Sequence, residues 1–366
     1  MNELCEQSSR KPKYPRAMTR TAPRVITATL FCLSVLFLFS TPARAQHGDY
    51  ILGTVGLEGG SQAPEGLYYS NVWSYYHTSS SDFVATSSLT CGPLDRDCLR
   101  LNAGGSGNLD LFVDQNIFVW TTPLQILGAH YGLLLDIPFA YADASGAAAL
   151  EPVLTTEHGA FSGTARSTSG GSIKGNISNI YFEPINLGWH FKYLDATVSS
   201  GVIAPTGTYN PKARLNIGPG NAAGLFGLGM VAYPDEAHTW SLSIYSHYEI
   251  YASQMNRPYT LGDEVPFEWG AGKTFNFKNE IFKQLVLGAV GYAQWQTTDN
   301  AIDVHPTSQA GISILNTLED TKAQIYAAGP AVNLTTAYGL FALRYYEEFG
   351  AAATPSGRQL MFNFAF

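Results

Sequence analysis

Alternating apolar and polar positions recur along most of the chain, whereas the spacing of an amphipathic helix is scarce. Clusters of Gly, Pro, Asn and Asp interrupt the alternation, as they do where strands end. The pattern predicts strands that mostly exceed the ~5–6 residues usual in soluble sheets and reach the ~9–11 that cross a membrane. The twelve predicted strands are 67–78, 109–121, 126–142, 178–191, 194–205, 222–233, 239–252, 264–277, 284–297, 322–334, 338–349 and 357–366.

Short turns and long polar loops alternate between these strands. The turn 122–125 is one of the short connections, whereas the stretches 79–108, 143–177 and 298–321 form long polar loops. Short turns on one rim and long loops on the other are typical of outer-membrane barrels, and an even strand number puts both ends on the short-turn, periplasmic rim. The sequence therefore predicts an all-β fold, a transmembrane antiparallel β-barrel of about 12 strands over residues 67–366.

The strand faces predict which side chains meet lipid and which line the lumen. Between Tyr131 and Tyr141, one face of strand 126–142 is aliphatic, as expected for a lipid-facing stripe that ends at two interfaces. In strand 109–121, Leu109 and Val113 share the face assigned to lipid. The candidate lumen-lining residues are Asp110, Asp114, His130, Asp136, Tyr245, His247, Glu249, Glu268, Arg344 and Glu348.

The first 45 residues have the order of a secretory signal peptide. A basic leader precedes the apolar run 25–40, and Ala43-Arg44-Ala45 then fits a cleavage site after Ala45. An N-terminal membrane anchor is the alternative, but the apolar run is short for a membrane span. Translation starts either at Met1 or at Met18. Residues 46–66 form a periplasmic N-terminal segment or a plug inside the barrel.

Composition narrows the class of protein. The chain has 21 Lys+Arg against 29 Asp+Glu, a net charge of −8, and only 14% charged residues. Its 45% hydrophobic residues exclude a disordered chain, and its acidity excludes a nucleic-acid partner that binds a basic surface. An exported chain of this kind is either a soluble β protein or a barrel in the outer membrane of a Gram-negative bacterium, surrounded by outer-membrane lipid.

Two cysteines, Cys91 and Cys98, remain after the leader is removed. In an exported chain, two cysteines this close favour a disulfide that closes a small loop. A metal site needs further Cys or His residues nearby, and the sequence offers none there. The sequence therefore predicts a disulfide, no metal and no cofactor.

The chain ends in Phe362-Asn363-Phe364-Ala365-Phe366. A terminal Phe after alternating aromatic residues is the signal that barrel assembly machinery reads in bacterial outer membranes. A soluble β domain that ends in Phe by chance is the alternative.

Several short motifs resemble a known family. Leu187-Gly188-Trp189-His190, the segment 204–209 (APTGTY) and the segment 345–350 (YYEEFG) are similar to the "meta-pathway of phenol degradation" outer-membrane proteins. The likeness runs from about residue 60 to the C-terminus. It implies an outer-membrane barrel that transports aromatic or hydrophobic compounds, and it supplies no catalytic residues.

These features predict a channel for passive uptake of small hydrophobic or aromatic compounds. An acidic lumen disfavours anions, although the same charges could simply form a solvated interior. A plugged barrel that binds or adheres through its loops is the alternative. An outer-membrane lipid hydrolase is a further one, because His77-Thr78-Ser79 has the spacing of a base and a nucleophile. No orienting acid is evident beside that pair, so no enzyme is predicted.

Overall fold

The computed structural model describes residues 50–89, 98–156, 159–162, 165–211, 213, 215–303 and 322–366. A three-residue 3₁₀ turn, Gly56–Glu58, precedes the sheet. The strands are β1 Gly66–Leu89, β2 Cys98–Ile126, β3 Ala129–Thr156, β4 Gly159–Ser162, β5 Ala165–Ile177, β6 Ile180–His190, β7 Leu194–Ala204, β8 Ala223–Ala232, β9 Trp240–Tyr251, β10 Tyr259–Thr260, β11 Glu264–Asn276, β12 Phe282–Gln296, β13 Ala301–Ile302, β14 Gln324–Thr336, β15 Gly339–Ala352 and β16 Arg358–Ala365.

The large sheet closes on itself. Its strands follow the order β2-β1-β16-β15-β14-β12-β11-β9-β8-β7-β6-β3, and β3 pairs with β2 to complete the ring. Both β5 and β6 pair with β3, so they form consecutive parts of one wall strand. Counted in this way the ring has twelve antiparallel strands, which confirms the predicted fold. Closure gives each of the twelve wall strands two neighbours, whereas β4 and β5 pair with β3 alone within the described part of the chain.

The two rims of the barrel differ as the sequence predicts. Five short connections, 127–128, 191–193, 233–239, 277–281 and 337–338, lie on one rim. The two ends of the barrel meet on this same rim, where the backbone N–H groups of Tyr69 and Phe366 each donate to the other's carbonyl at 3.0 Å. Connections on the opposite rim include the longer 205–222 and 252–263 and the short 353–357.

The first strands are much longer than the sequence predicts. β1, β2 and β3 contain 24, 29 and 28 residues, and β5 extends the sheet over 165–177. The stretches 79–108 and 143–177 are therefore largely strand, and their interpretation as polar loops was wrong. Both faces of a sheet that projects beyond a membrane meet water, so its sequence carries no apolar stripe to reveal it.

Exposed aromatic and aliphatic side chains cover the outside of the barrel. Trp73, Phe118, Trp120, Phe226 and Trp240 are 42 to 57% exposed. Such an outward apolar surface is the one that outer-membrane barrels present to lipid. Among the described residues, no helix is long and apolar enough to cross a membrane.

Several sequence predictions lie outside the described residues, among them most of the predicted polar loop 298–321. The signal peptide, residues 1–45, is one of them. Cys91 is also outside, whereas Cys98 begins β2. The disulfide between these cysteines and the cleavage after Ala45 stay predictions.

Candidate functional site: the barrel interior

The interior of the barrel is filled by residues 50–62, which precede β1. Leu52 and Leu57 are 1% and 0% exposed, although neither belongs to a strand. Both join a core cluster whose other members come from six strands of the wall. The wall residues of that cluster are Val72, Ile117, Val286, Val290, Tyr292, Ile325, Ala327, Ala331, Tyr346 and Met361. These six strands are consecutive in the ring, and the far end of the same segment bonds to β6 and β7 on the other half, so the two leucines lie inside the barrel. We call residues 50–62 the inner segment.

Two side chains of β15 hold one bend of the inner segment. Arg344 donates through Nη1 to the carbonyl oxygens of Gly53 and Thr54 at 3.3 and 2.7 Å. The Tyr346 hydroxyl donates to the Gly53 oxygen at 3.0 Å. These bonds satisfy backbone carbonyls that a non-regular segment would otherwise bury without partners.

The other end of the inner segment binds the opposite wall. Ser61 donates to Asp195 Oδ2 at 2.6 Å, and Gln62 donates to the Asn186 side-chain oxygen at 2.7 Å. Asp195 lies on β7 and Asn186 on β6, which is across the ring from β15. The inner segment therefore spans the lumen from one wall to the other.

Carboxylates and tyrosines of β9 and β11 form a buried cluster beside the inner segment. His247 Nε2 lies 2.7 Å from Glu249 Oε1. The Tyr251 hydroxyl donates to Glu249 and also lies 3.1 Å from Glu264 Oε2. The Tyr50 ring packs edge-on against His247, with ring centroids 4.4 Å apart. A tyrosine of the inner segment thus closes over a polar group of the wall.

Further buried acids are each bonded to a neighbouring wall residue. Glu348 accepts hydrogen bonds from Tyr76 and Tyr292 at 2.8 and 2.6 Å. Asp136 accepts one from Gln115 at 2.8 Å. Such pairing is needed because a buried polar group without a partner is costly.

The interior is strongly acidic. Among the described residues, the buried carboxylates are Asp136, Glu183, Asp195, Glu249, Glu264, Glu268 and Glu348. The buried side chains of opposite character are Arg344 and His247. Few buried positive charges offset these carboxylates.

Glu58 brings one more acid into the lumen from the inner segment. Its side chain stays in contact with solvent, yet the surrounding wall raises its pKa by desolvation. The Asp195 carboxylate raises this pKa further, and the Arg344 guanidinium lowers it. Protonation of Glu58 is therefore linked to the position of the inner segment.

Most candidate residues from the sequence point inward. The hydroxyl groups of Tyr245 and Ser199 form a hydrogen bond of 3.3 Å inside the ring. His130 lies at the short-turn rim, 3.4 Å from Glu65. The other candidates found on the inner face are Asp136, His247, Glu249, Glu268, Arg344 and Glu348.

Asp110 and Asp114 do not line the lumen, because β2 is oriented the other way. Asp110 accepts from Tyr75 at 2.6 Å on the outer face, and Asp114 accepts from Asn71 at 2.6 Å on that same face. Ile117 points inward instead and belongs to the core that contains Leu52. The prediction assumed a polar lumen, whereas the leucines of the inner segment give β2 an apolar surface to pack against.

Sequence reasoning missed several residues of the interior. Glu183 accepts from the Tyr181 hydroxyl at 2.5 Å and from Asn186 at 2.6 Å. Tyr181 and Glu183 lie two residues apart and so share the inner face of β6. The sequence did not reveal this face, because Pro184 interrupts the alternation there. Nothing in the sequence indicates that Gln62 reaches Asn186.

His77 does have an acid beside it. Its Nδ1 lies 2.8 Å from Asp110 Oδ1, so the expectation that no acid orients this histidine was wrong. Both side chains are partly exposed, at 34% and 46%, on the outer face. The hydrogen bond given for this histidine among the described residues joins it to Asp110 and not to Ser79.

Metal binding has no support in the described part of the chain. No group of three or more His, Cys, Asp or Glu side chains there could hold a metal ion.

Comparison with solved structures gives similar barrels. An outer membrane channel from Pseudomonas putida F1 is 14% identical, with a TM-score of 0.49, over 83% of this chain and 96% of that one. A FadL homologue from Pseudomonas aeruginosa is 8% identical, with a TM-score of 0.31, over 82% and 88% of the two chains. BamA from Haemophilus ducreyi is 9% identical, with a TM-score of 0.27, over 81% and 70%. No protein of curated function matches the chain.

Comparison with family models assigns the chain more directly. The model of the family described as "Putative MetA-pathway of phenol degradation" matches residues 80–364. This range covers β2 to β16 and most of the closed ring. The chain belongs to this family.

Proposed function

We propose that this chain is an outer-membrane channel for passive uptake of small hydrophobic or aromatic compounds. The observation that carries the proposal is the way the lumen is filled. Residues 50–62, which belong to no wall strand, fill it together with inward side chains of the wall. Displacing that segment opens a path without breaking the wall. Export with a signal peptide cleaved after Ala45 belongs to the same proposal.

We propose that the inner segment acts as a plug. Its strongest polar contacts with the wall come from Arg344, Tyr346, Asn186 and Asp195. A bond from neutral Tyr346 or Gln62 contributes about 1 kcal/mol, and a bond to charged Arg344 or Asp195 contributes about 1.5–3 kcal/mol. Together with the buried Leu52 and Leu57, these bonds hold the plug closed at rest, and the plug opens only when they are displaced together.

The acidic interior supports a preference for neutral and cationic solutes. Its buried carboxylates far outnumber the one buried guanidinium, Arg344, among the described residues. Rings of charged side chains that line a pore set such preferences for ions. Tyr245 and Tyr346 lie against the inner segment, so its displacement would present aromatic side chains to a solute.

The test compares single-channel currents in a planar lipid bilayer, with and without phenol. Tyr346→Phe removes one hydrogen bond to the plug and keeps the ring. Losing about 1 kcal/mol shifts the open-to-closed ratio about fivefold, so the open probability rises. Tyr292→Phe is the matched control, since it removes a bond between two wall residues and leaves the plug contacts intact.

A result against the proposal is equally clear. If the inserted wild-type barrel carries no current and phenol neither crosses nor alters any current, the channel function fails. If Tyr346→Phe and Tyr292→Phe change the open probability equally, the inner segment is not the gate.

One observation favours a second function, surface binding. β1, β2 and β3 extend far beyond the ~9–11 residues needed to cross the membrane. The projecting sheet offers a surface for adhesion outside the cell. Cells that keep the barrel but lack this projection would then lose attachment and keep phenol uptake.

A further inference from the structure

The hydrogen-bond ladder of the barrel wall is interrupted where β6 meets β3 and β7. The register between β3 and β6 shifts between Gly132 and Leu134. The register between β6 and β7 shifts at the same height, between Phe182 and Ile185. Pro184 lies within this interval and has no N–H to donate. Its carbonyl accepts from the Tyr131 hydroxyl at 2.7 Å. The wall is therefore weakly paired on both sides of one residue.

An apolar depression lies on the outer surface at this interruption. Its volume is about 190 Å³, and Leu67, Phe118, Trp120, Leu133 and Phe182 are among its lining side chains. The depression opens toward the lipid side and its lining is aliphatic and aromatic, so its chemistry suits a single aromatic ring.

The inner surface at the same place is covered by Gln62 of the plug. A Cβ added to Gly132 would lie 2.9 Å from Gln62 Nε2, and one added to Gly188 would lie 2.5 Å from Gln62 Oε1. The two glycines make the wall thin here, and Gln62 occupies the space they leave. Leu134 packs against the interior core and also lines the outer depression. One side chain therefore connects the two surfaces.

Gln62 also ties the plug to the interrupted strand. It donates to the side-chain oxygen of Asn186, and Asn186 donates to Glu183 at 2.6 Å. Glu183 immediately precedes Pro184 on β6. Movement of Gln62 would release both the inner cover and a bond that steadies the weakly paired strand.

We propose that small uncharged aromatic solutes cross the barrel wall at this seam, between β3 and β6. The proposal rests on the channel function proposed above and specifies the route. Gln62 covers the inner side, and the aromatic depression receives the ring on the lipid side. Ions and polar solutes stay in the acidic lumen, because the lining residues of the depression are apolar.

The test fills the depression with a larger side chain and measures phenol uptake and potassium current separately. Leu133→Trp places an indole in the depression beside the seam. Leu285→Trp is the matched control, because Leu285 lines a comparable apolar depression of about 290 Å³ elsewhere on the barrel. Initial phenol uptake is measured in cells that carry each variant, and potassium current is measured with the purified proteins in planar bilayers.

Leu133→Trp should slow phenol uptake severalfold and leave the potassium current unchanged, whereas Leu285→Trp should change neither. Equal phenol uptake in wild type and Leu133→Trp overturns the proposed route. If wild-type cells take up phenol no faster than cells without the chain, the channel function itself fails, which is a different result.

A second pair of variants keeps the test decisive if Leu133→Trp does not assemble. Gln62→Ala removes the inner cover, and Ser61→Ala removes a neighbouring plug contact to Asp195 that is away from the seam. Gln62→Ala should raise phenol uptake more than it raises potassium current. If both variants raise the two in the same proportion, solute and ions share one path and the seam is not used.

Discussion

At the scale of single residues, the plug depends on a backbone position that favours glycine. Gly56 has φ of +67°, and a Cβ there would lie 2.3 Å from Arg344 Nε. Gly56→Ala costs roughly 1–2 kcal/mol in backbone conformation alone and also displaces Arg344. We expect a higher open probability in bilayer recordings.

Gly128→Ala is the control that introduces the same kind of backbone strain without a contact to Arg344. Gly128 also has positive φ, at +80°, but nothing lies within 4 Å of its added Cβ. This variant should lose some thermal stability and keep the wild-type open probability. Equal currents from the Gly56 and Gly128 variants would show that the plug does not depend on the Arg344 contact.

Glu58 makes the plug sensitive to pH. Desolvation raises the pKa of Glu58 while the inner segment lies docked in the lumen. The docked state therefore binds the proton more tightly than the released state does. Protonated Glu58 therefore stabilises the docked state. This stabilisation is fully present below the ordinary pKa of glutamate and is lost as pH rises through the raised pKa. Asp195, Arg344 and Tyr233 are the charged or titratable groups that influence it.

Open probability should therefore increase with pH across that window. Glu58→Gln keeps the shape of the side chain and removes the charge, so the variant should stay closed and lose the pH dependence. Recordings across a pH series check this directly. A pH response of wild-type size in Glu58→Gln would assign the titration to another group.

At the scale of strands, the orientation of β2 decides which acids an ion meets. Glu268 is 3% exposed inside the ring, whereas Asp114 faces outward beside Asn71. Glu268→Gln should lower the cation-to-anion permeability ratio severalfold, as measured from reversal potentials in alkaline buffer, where the carboxylate is ionised. Asp114→Asn should leave the ratio unchanged. A larger effect from Asp114 would mean that β2 has the orientation first inferred from sequence.

Strand positions were largely predictable from the sequence, because alternation and turn residues are local signals. From β7 to β16 the wall strands begin and end within a few residues of the predicted limits. The extensions of β1 to β3 were not predictable, because their sequence carries no sustained alternation of apolar and polar residues. Inward acids were found where alternation is clean, as in β9, and were missed at Glu183, where Pro184 disrupts it. Contacts such as Arg344 with Thr54 join distant parts of the chain and leave no local signal.

At the scale of the whole molecule, the barrel is complete when its first and last strands pair. β16 pairs with β1 from Ser70↔Ala365 to His77↔Arg358. The terminal Phe366 extends the pairing of β1 with β16 through its backbone bonds with Tyr69, while its ring remains 61% exposed. The backbone thus closes the ring, and the aromatic ring is left available to the barrel assembly machinery, which we propose as its partner.

Phe366→Ser tests this division of roles, because it keeps the backbone bonds and removes the exposed ring. The variant should reach the outer membrane in a severalfold lower amount, as measured by immunoblot of membrane fractions. Tyr338→Ser is the matched control, since Tyr338 is 73% exposed on the same rim but lies outside the closing seam. The barrels that do assemble from Phe366→Ser should melt near the wild-type temperature. A large fall in their melting temperature would make the ring a structural element of closure instead of a recognition signal.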